Sequence, residues 1–268
     1  KFLSYWYEVS SDSLIFNAES KNALWSKQKK WVPFIKGGGS EPWYAYDDLV
    51  IKFDEKSYIA LKNQGNHCPS ESKYFKSGIT WSLIGKNTGF RFYPEGAVFG
   101  HKGPMIFSND NHQLFNLLAY LNSKVARNYL SFFQSSNGVE VGQLKKLPFF
   151  QVDLSFEAKR IYELKKNNWC TKEISPYFSH FNLSEAPTLK DFLKNIKNIT
   201  DSEASEVQVI ENEINKIISE FSGINLGDGA EEDSKKRGFH ETSIQNIFSY
   251  AIGCMMGRYS LDKPVSNG

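Results

Sequence analysis

The chain has 268 residues, 40% of them hydrophobic and 23% charged, with a formal net charge of +2, enough to bury one large core or two smaller ones. Cys68, Cys170 and Cys254 lie far apart with no CxxC pair and the five histidines are scattered, which argues against a disulfide framework or a metal site and fits a reducing cytoplasm. No apolar run approaches the ~20 residues of a membrane span and no signal-peptide pattern is present, so a membrane location is not expected.

The chain starts on Lys1 rather than Met and opens directly into FLSYWYEV, a strand-like or helical aromatic segment, as expected of a piece of something larger. A lysine-rich stretch, KNALWSKQKKW, leads into VPFIKGGGSEPWY. Gly37, Gly38 and Gly39 followed by Ser40 and Pro42 predict a loop, flanked by Trp31, Phe34, Trp43, Tyr44 and Tyr46. DDLVIKF is a short alternating strand. GITWSLIG, GFRFYPEGAVFG and GPMIF predict two or three further short strands between Gly and Pro turns, with Phe90, Phe92, Ala97 and Phe99 facing a core and Arg91 and Tyr93 facing out.

From Asn111 to Phe133 the period changes. Leu114, Leu117, Leu118, Leu121, Val125, Tyr129 and Phe132 recur at three and four residues, which predicts one amphipathic helix with Asn111 as its N-cap. SSNGVEVGQL then turns the chain into another strand ending at Pro148. After Gln151 the pattern is helical: LSFEAKRIYELKKNNWCTKEI carries an apolar stripe, SEASEVQVIENEINKIISEFSGI is a helix stopped by Gly223, and TSIQNIFSYAIGCMMGRYSLD is a last apolar helix. GDGAEEDSKKRG reads as a polar loop. The fold class expected is α+β, a strand-rich domain followed by a mostly helical region.

Aromatic residues and charge divide along the same line. Residues 1–150 hold 28 of the 40 Phe, Trp and Tyr residues and carry 18 Lys plus Arg against 12 acids; residues 151–268 carry 14 against 18. The basic, aromatic half suits a polyanion, because Lys and Arg contacts to phosphates dominate such affinity; a solvated basic surface would look the same. Trp43, Tyr44 and Trp81 could stack on bases or fill a core. Arg91, placed between two Phe residues, is a candidate for phosphate or a guanine edge. Lys102 follows His101 in a Gly-bounded turn, Lys36 and Gly38 belong to the glycine loop, and Lys145 and Lys146 precede a Leu-Pro boundary where they could grip phosphate or solvate a turn.

Catalytic signatures do not appear. There is no GxGxxG, GxxxxGKS or GxSxG. Asp54 and Lys56 have the D-x-K spacing of a metal-dependent nuclease, with a solvated strand end as the plainer reading; Asp233 and Lys235 repeat the spacing in the polar loop. The Asn/Asp-Pro-Pro-Tyr/Phe tetrapeptide that would receive a flipped base for amino methylation is absent.

Taken in order, FLSYWYEV, KWVPFIKGGGSEPWY, the GITWS to GPMIF block, LLAYLNSKVARNYL with VGQLKKLPFF, and the two later helices resemble the C-terminal part of adenine-specific DNA methyltransferases of the PglX type from BREX phage-defence systems, with features shared by type IIG restriction–modification enzymes. The resemblance covers most of the chain. It implies a target recognition domain over residues 31–150, a helical region over 151–268, and a junction over 1–30 to a catalytic methyltransferase domain in cis. Duplex DNA is the implied partner, with other defence-system subunits as further candidates. S-adenosylmethionine is the implied cofactor of the parent enzyme, with none expected in this chain. The chain by itself is expected to be inactive. Two rival functions stand beside this one: the nuclease of Asp54 and Lys56, and a protein-interaction scaffold built on the acidic helical half.

Overall fold

The structure is a computed structural model. It describes residues 2–37, 40–44, 48–65, 68, 70–83, 88–133, 138–150, 152–224, 239, 242–257 and 259. The polar loop holding Asp233 and Lys235, and Gly38 of the glycine loop, lie outside the described residues.

The architecture is α+β. Two small four-stranded sheets come first and the helices follow. The first sheet has the order β1-β4-β2-β7, formed by Leu3–Tyr5, Leu49–Lys52, Trp31–Ile35 and Val98–Phe99. The second has the order β3-β6-β5-β8, formed by Trp43–Tyr44, Arg91–Tyr93, Gly78–Thr80 and Met105–Ile106. The chain passes between the sheets five times, from β2 to β3, β3 to β4, β4 to β5, β6 to β7 and β7 to β8. Two of the resulting strand pairs are parallel, with Phe34 beside Val98 and Trp43 beside Arg91, so the two sheets are interlocked. The first residues, expected as a junction, supply β1 and the short helix α1 (Lys21–Ser26) to this arrangement.

β6 explains where side chains go. Its alternation is as expected, but both of its faces are covered. Phe92 enters a core formed with Tyr44, Phe115 and Tyr162, its ring stacked 4.4 Å from that of Phe115. Tyr93 enters a second core with Val32, Ile51, Phe53, Val98 and Phe99, under the first sheet. Arg91 and Tyr93 therefore do not face solvent; they are 1% and 4% exposed. Ala97 and Phe99 share the core of Tyr93, not that of Phe92.

The predicted single helix over 111–133 is two. α3 (Asn111–Asn122) is capped by Asp110, whose carboxylate accepts the His112 N–H, and α4 (Lys124–Phe133) follows a break at Ser123. The break has an evident cause. Asn122 turns its side chain to Phe90, donating to its carbonyl at 2.9 Å and accepting its N–H at 3.1 Å, while Arg127 donates to the Asn122 carbonyl. Ser123, in extended backbone, caps the next helix by accepting the Ala126 N–H. The phase shift at Ser123 buries Val125, Ala126 and Leu130 and leaves Phe132 exposed.

VGQL forms a short helix, α5 (Val141–Leu144), in place of the expected strand, because Glu140 and Gln143 close a reciprocal capping box. α6 (Ser155–Cys170) and α7 (Leu189–Ser222) lie where the apolar stripes predict helices, but α7 begins earlier, capped by Thr188, and spans about 51 Å at 1.5 Å per residue. Gly223 ends it in the left-handed region at φ 68°. α8 (Ile244–Met255) packs Ile247 and Tyr250 on Phe178, Phe181 and Phe192. Among the described residues no helix is long and apolar enough to cross a membrane.

Asp54 caps α2 (Glu55–Asn63), its carboxylate accepting the Ser57 N–H at 2.9 Å and the Ser57 hydroxyl at 3.1 Å. Asp54→Ala is expected to cost about 1 kcal/mol, the usual worth of an N-cap, measured as a lower denaturation midpoint in urea at unchanged slope.

Candidate nucleic-acid interface

The glycine loop leaves β2 at Lys36 and returns to β3 at Trp43. Its two ends are held by one side chain. The buried Arg91 guanidinium donates from Nη1 to the Gly37 carbonyl, from Nε to the Glu41 carbonyl, and from Nη2 to the Gly89 carbonyl at 3.2 Å. A delocalised cation in a low-dielectric site is stable only with its donors paired, and main-chain carbonyls of three turns supply that pairing. Arg91 is thus a strut beneath the loop, which corrects the expectation that it projects outward.

Gly37 sits at φ 99°, a conformation that favours glycine. A side chain there would meet the Lys102 carbonyl at 2.8 Å and Ser82 at 3.1 Å, and one at Gly103 would meet the Gly37 nitrogen at 2.7 Å. The turns that carry Lys36, Ser82 and Lys102 are therefore in direct backbone contact. Lys36, His101 and Lys102 are exposed on them, so the structure brings two of the predicted cations together. Lys36 also acts on Asp48: burial pushes the Asp48 carboxyl up from its ordinary range, while its own and the Leu49 backbone N–H groups and the Lys36 ammonium oppose that.

The three aromatic candidates are core residues. Trp43 and Tyr44 are 2% and 3% exposed and Trp81 is 1% exposed, all three in the core that the second sheet shares with the helices. Trp81 packs on Phe90 and donates its indole N–H to the Val139 carbonyl at 2.8 Å. Trp43 sits at φ 74°, a strained conformation for a bulky residue, and its indole N–H donates to Glu211 Oε1 of α7 at 2.6 Å. This strain comes immediately after the glycine loop, where Glu41 Oε2 and Thr88 Oγ1 are buried with no hydrogen-bond partner among the described residues.

Lys145 and Lys146 are exposed at the end of α5. Their segment is tied to Trp81 through Val139, and Lys146 Nζ lies 5.7 Å from the centre of the Phe133 ring. Lys56 is exposed and Asp54 serves as a helix cap; among the described residues no three His, Cys, Asp or Glu side chains are gathered to hold a metal ion. Asn122 and Glu211, which brace the loop region from α3 and α7, carry no sequence signal, because each acts on a partner far away in the chain.

Comparison with known proteins gives no matching family model. The chain is 29% identical over 287 residues to the adenine-specific methyltransferase BrxX of Escherichia coli O9:H4 (strain HS), covering 98% of this chain and 23% of that protein. It is 26% identical over 288 residues to the adenine-specific methyltransferase PglX of Lacticaseibacillus casei (strain Zhang), covering 98% and 24%. The chain thus spans about a quarter of the length of these curated relatives.

Two substitutions probe the support beneath the loop. Arg91→Lys keeps the charge but cannot reach all three carbonyls, and is expected to cost about 2 kcal/mol or more and to speed hydrogen exchange at the Ser40 and Glu41 amides. Glu211→Ala leaves the buried Trp43 indole N–H unpaired, at about 1–3 kcal/mol, read as a lower unfolding midpoint with altered Trp fluorescence.

Proposed function

We propose that this chain is the duplex-DNA recognition part of an adenine-specific DNA methyltransferase of the BREX PglX type. The reading is carried by its similarity to BrxX and PglX along 98% of its own length, and the joined turns of Lys36 and Lys102 supply the surface. Lys36, Lys102, Lys145 and Lys146 set register on phosphates, which positions the protein without selecting a sequence. Sequence is read by the glycine loop, whose two ends Arg91 holds, and by the turn at His101. Trp43, Tyr44, Trp81 and Arg91 act as supports and touch no base.

In this reading residues 31–150 form the recognition domain, residues 151–268 brace it, and a catalytic domain in cis receives the target adenine. The methyl group comes from S-adenosylmethionine, held by that catalytic part; no residue of this chain is assigned to it. The nuclease alternative is disfavoured because the Asp54 carboxylate is occupied in capping α2. The acidic helical region leaves room for partner subunits of a defence system, as a second role compatible with the first.

The test is fluorescence anisotropy with duplex DNA across a salt series. Affinity should fall linearly in log-log form, and Lys36→Glu and Lys102→Glu should each weaken binding to all sequences alike and flatten the slope by about 0.9 for each phosphate left without its cation. Binding that is absent at low salt, or indifferent to both substitutions, overturns the assignment of this surface.

A further inference from the structure

Away from these loops, the turn after α6 and the start of α8 enclose a cavity of about 350 Å³. It arises from two local features. Past Cys170 the chain folds back through turn hydrogen bonds, Lys172 N–H to the Trp169 carbonyl at 3.1 Å and Ser175 N–H to the Lys172 carbonyl at 2.8 Å. Opposite, Thr242 and the α8 residues Asn246 and Ser249 form the wall, with Phe181 as an apolar side.

The wall is rich in donors. Lys172 is partly buried, and among the described residues no carboxylate lies within ion-pair distance of its ammonium. Burial alone draws its pKa down to about 8, the response of a cation removed from water without a counter-charge. The acid beside it, Glu173, also lines the cavity, and its Oε1 accepts the Tyr259 hydroxyl at 3.1 Å. α8 brings no charged side chain from Ile244 to Met255. Asn246 uses Oδ1 to accept the Ser243 backbone N–H and hydroxyl, both at 2.8 Å, which leaves its amide hydrogens as donors. Together the ammonium, the Asn246 amide and the Thr242 and Ser249 hydroxyls offer several donors around a space of small-molecule size.

We propose that this cavity binds a phosphate monoester, its terminal oxygens held by Lys172, Asn246 and the Thr242 and Ser249 hydroxyls and its organic part against Phe181. A phosphate supplies a counter-charge to the Lys172 ammonium and several acceptor oxygens, and charge-assisted hydrogen bonds of this kind are the strong ones. Phe181 gives the flat apolar side that a heterocycle or sugar would cover. The proposal is independent of the DNA reading, since it uses none of the same residues.

The pH dependence follows from the two partners. Phosphate monoesters lose their second proton at about pH 6, and Lys172 loses its proton at about 8. Affinity should therefore peak between about pH 7 and 8, and above that fall by up to about tenfold per pH unit as the free amine deprotonates. Isothermal titration of the chain with inorganic phosphate, AMP, a 5′-phosphorylated dinucleotide and its unphosphorylated twin tests this. Saturable AMP binding assigns the site to free esters; binding of the phosphorylated dinucleotide but not its twin assigns it to strand ends, and both support the proposal. Lys172→Met should abolish binding while leaving the unfolding midpoint equal or higher, because a partly buried cation has been removed. Absence of saturable phosphate or ester binding between pH 7 and 8, equal binding of the unphosphorylated dinucleotide, or unchanged binding by Lys172→Met overturns it.

Discussion

A single buried guanidinium holds the strand-rich half together. Arg91 lies on the middle strand of the second sheet, and its three donor nitrogens bind carbonyls from both ends of the glycine loop and from the turn before its own strand. Burying a cation is costly unless every donor is matched, so the loop ends cannot drift without exposing an unpaired charge to an apolar interior. The fold converts that penalty into geometry. The two ends of the three-glycine loop are fixed from below by a residue that never reaches the surface.

The same middle strand joins two cores. Phe92 points to the helices and Tyr93 to the first sheet, and Asn122 bonds both polar groups of the Phe90 backbone, doing for that residue what a neighbouring strand would do. The helix break at Ser123 follows from this use of Asn122. α7 then fixes the strained Trp43 from the far side through Glu211. The loop region is thus braced by one residue each from the sheet, from α3 and from α7, and each brace spans a long sequence separation.

That separation decides what the sequence could reveal. The helices after Gln151, the glycine loop and the short strands are set by local periodicity and turn chemistry, and they are legible as such. The faces of β6 were not, because alternation gives the two sides of a strand but not what covers them; a sheet interlocked with a second sheet buries both. Arg91 between two Phe residues reads as an outward cation under any local rule, and only the carbonyls of Gly37 and Glu41 make its burial possible. The break at Ser123 was hidden for the same reason, since the apolar stripe continues through it. Lys36 and Lys102, separated by most of the strand-rich half, could each be picked out as exposed, but their adjacency depends on the contact of Gly37 with the Lys102 and Gly103 backbone.

The helical half is more than an appendage to this arrangement. The core that receives Phe92 and Trp43 continues through Ala158, Ile161 and Tyr162 of α6 to Ala204, Val207, Ile214 and Ile218 of α7. At about 1.5–3 kcal/mol for each large apolar side chain fully buried, the second sheet draws much of its stability from residues beyond 150. The acidic character of that half then has a structural sense: Glu211 accepts the Trp43 indole N–H at 2.6 Å and Glu206 pairs with Arg160 of α6 at 2.6 and 3.0 Å, so these two acids tie α7 to the second sheet and to α6. A basic loop surface and an acidic brace share one chain, with Glu206 matched by the Arg160 guanidinium and Glu211 giving the neutral Trp43 indole a charge-assisted hydrogen bond.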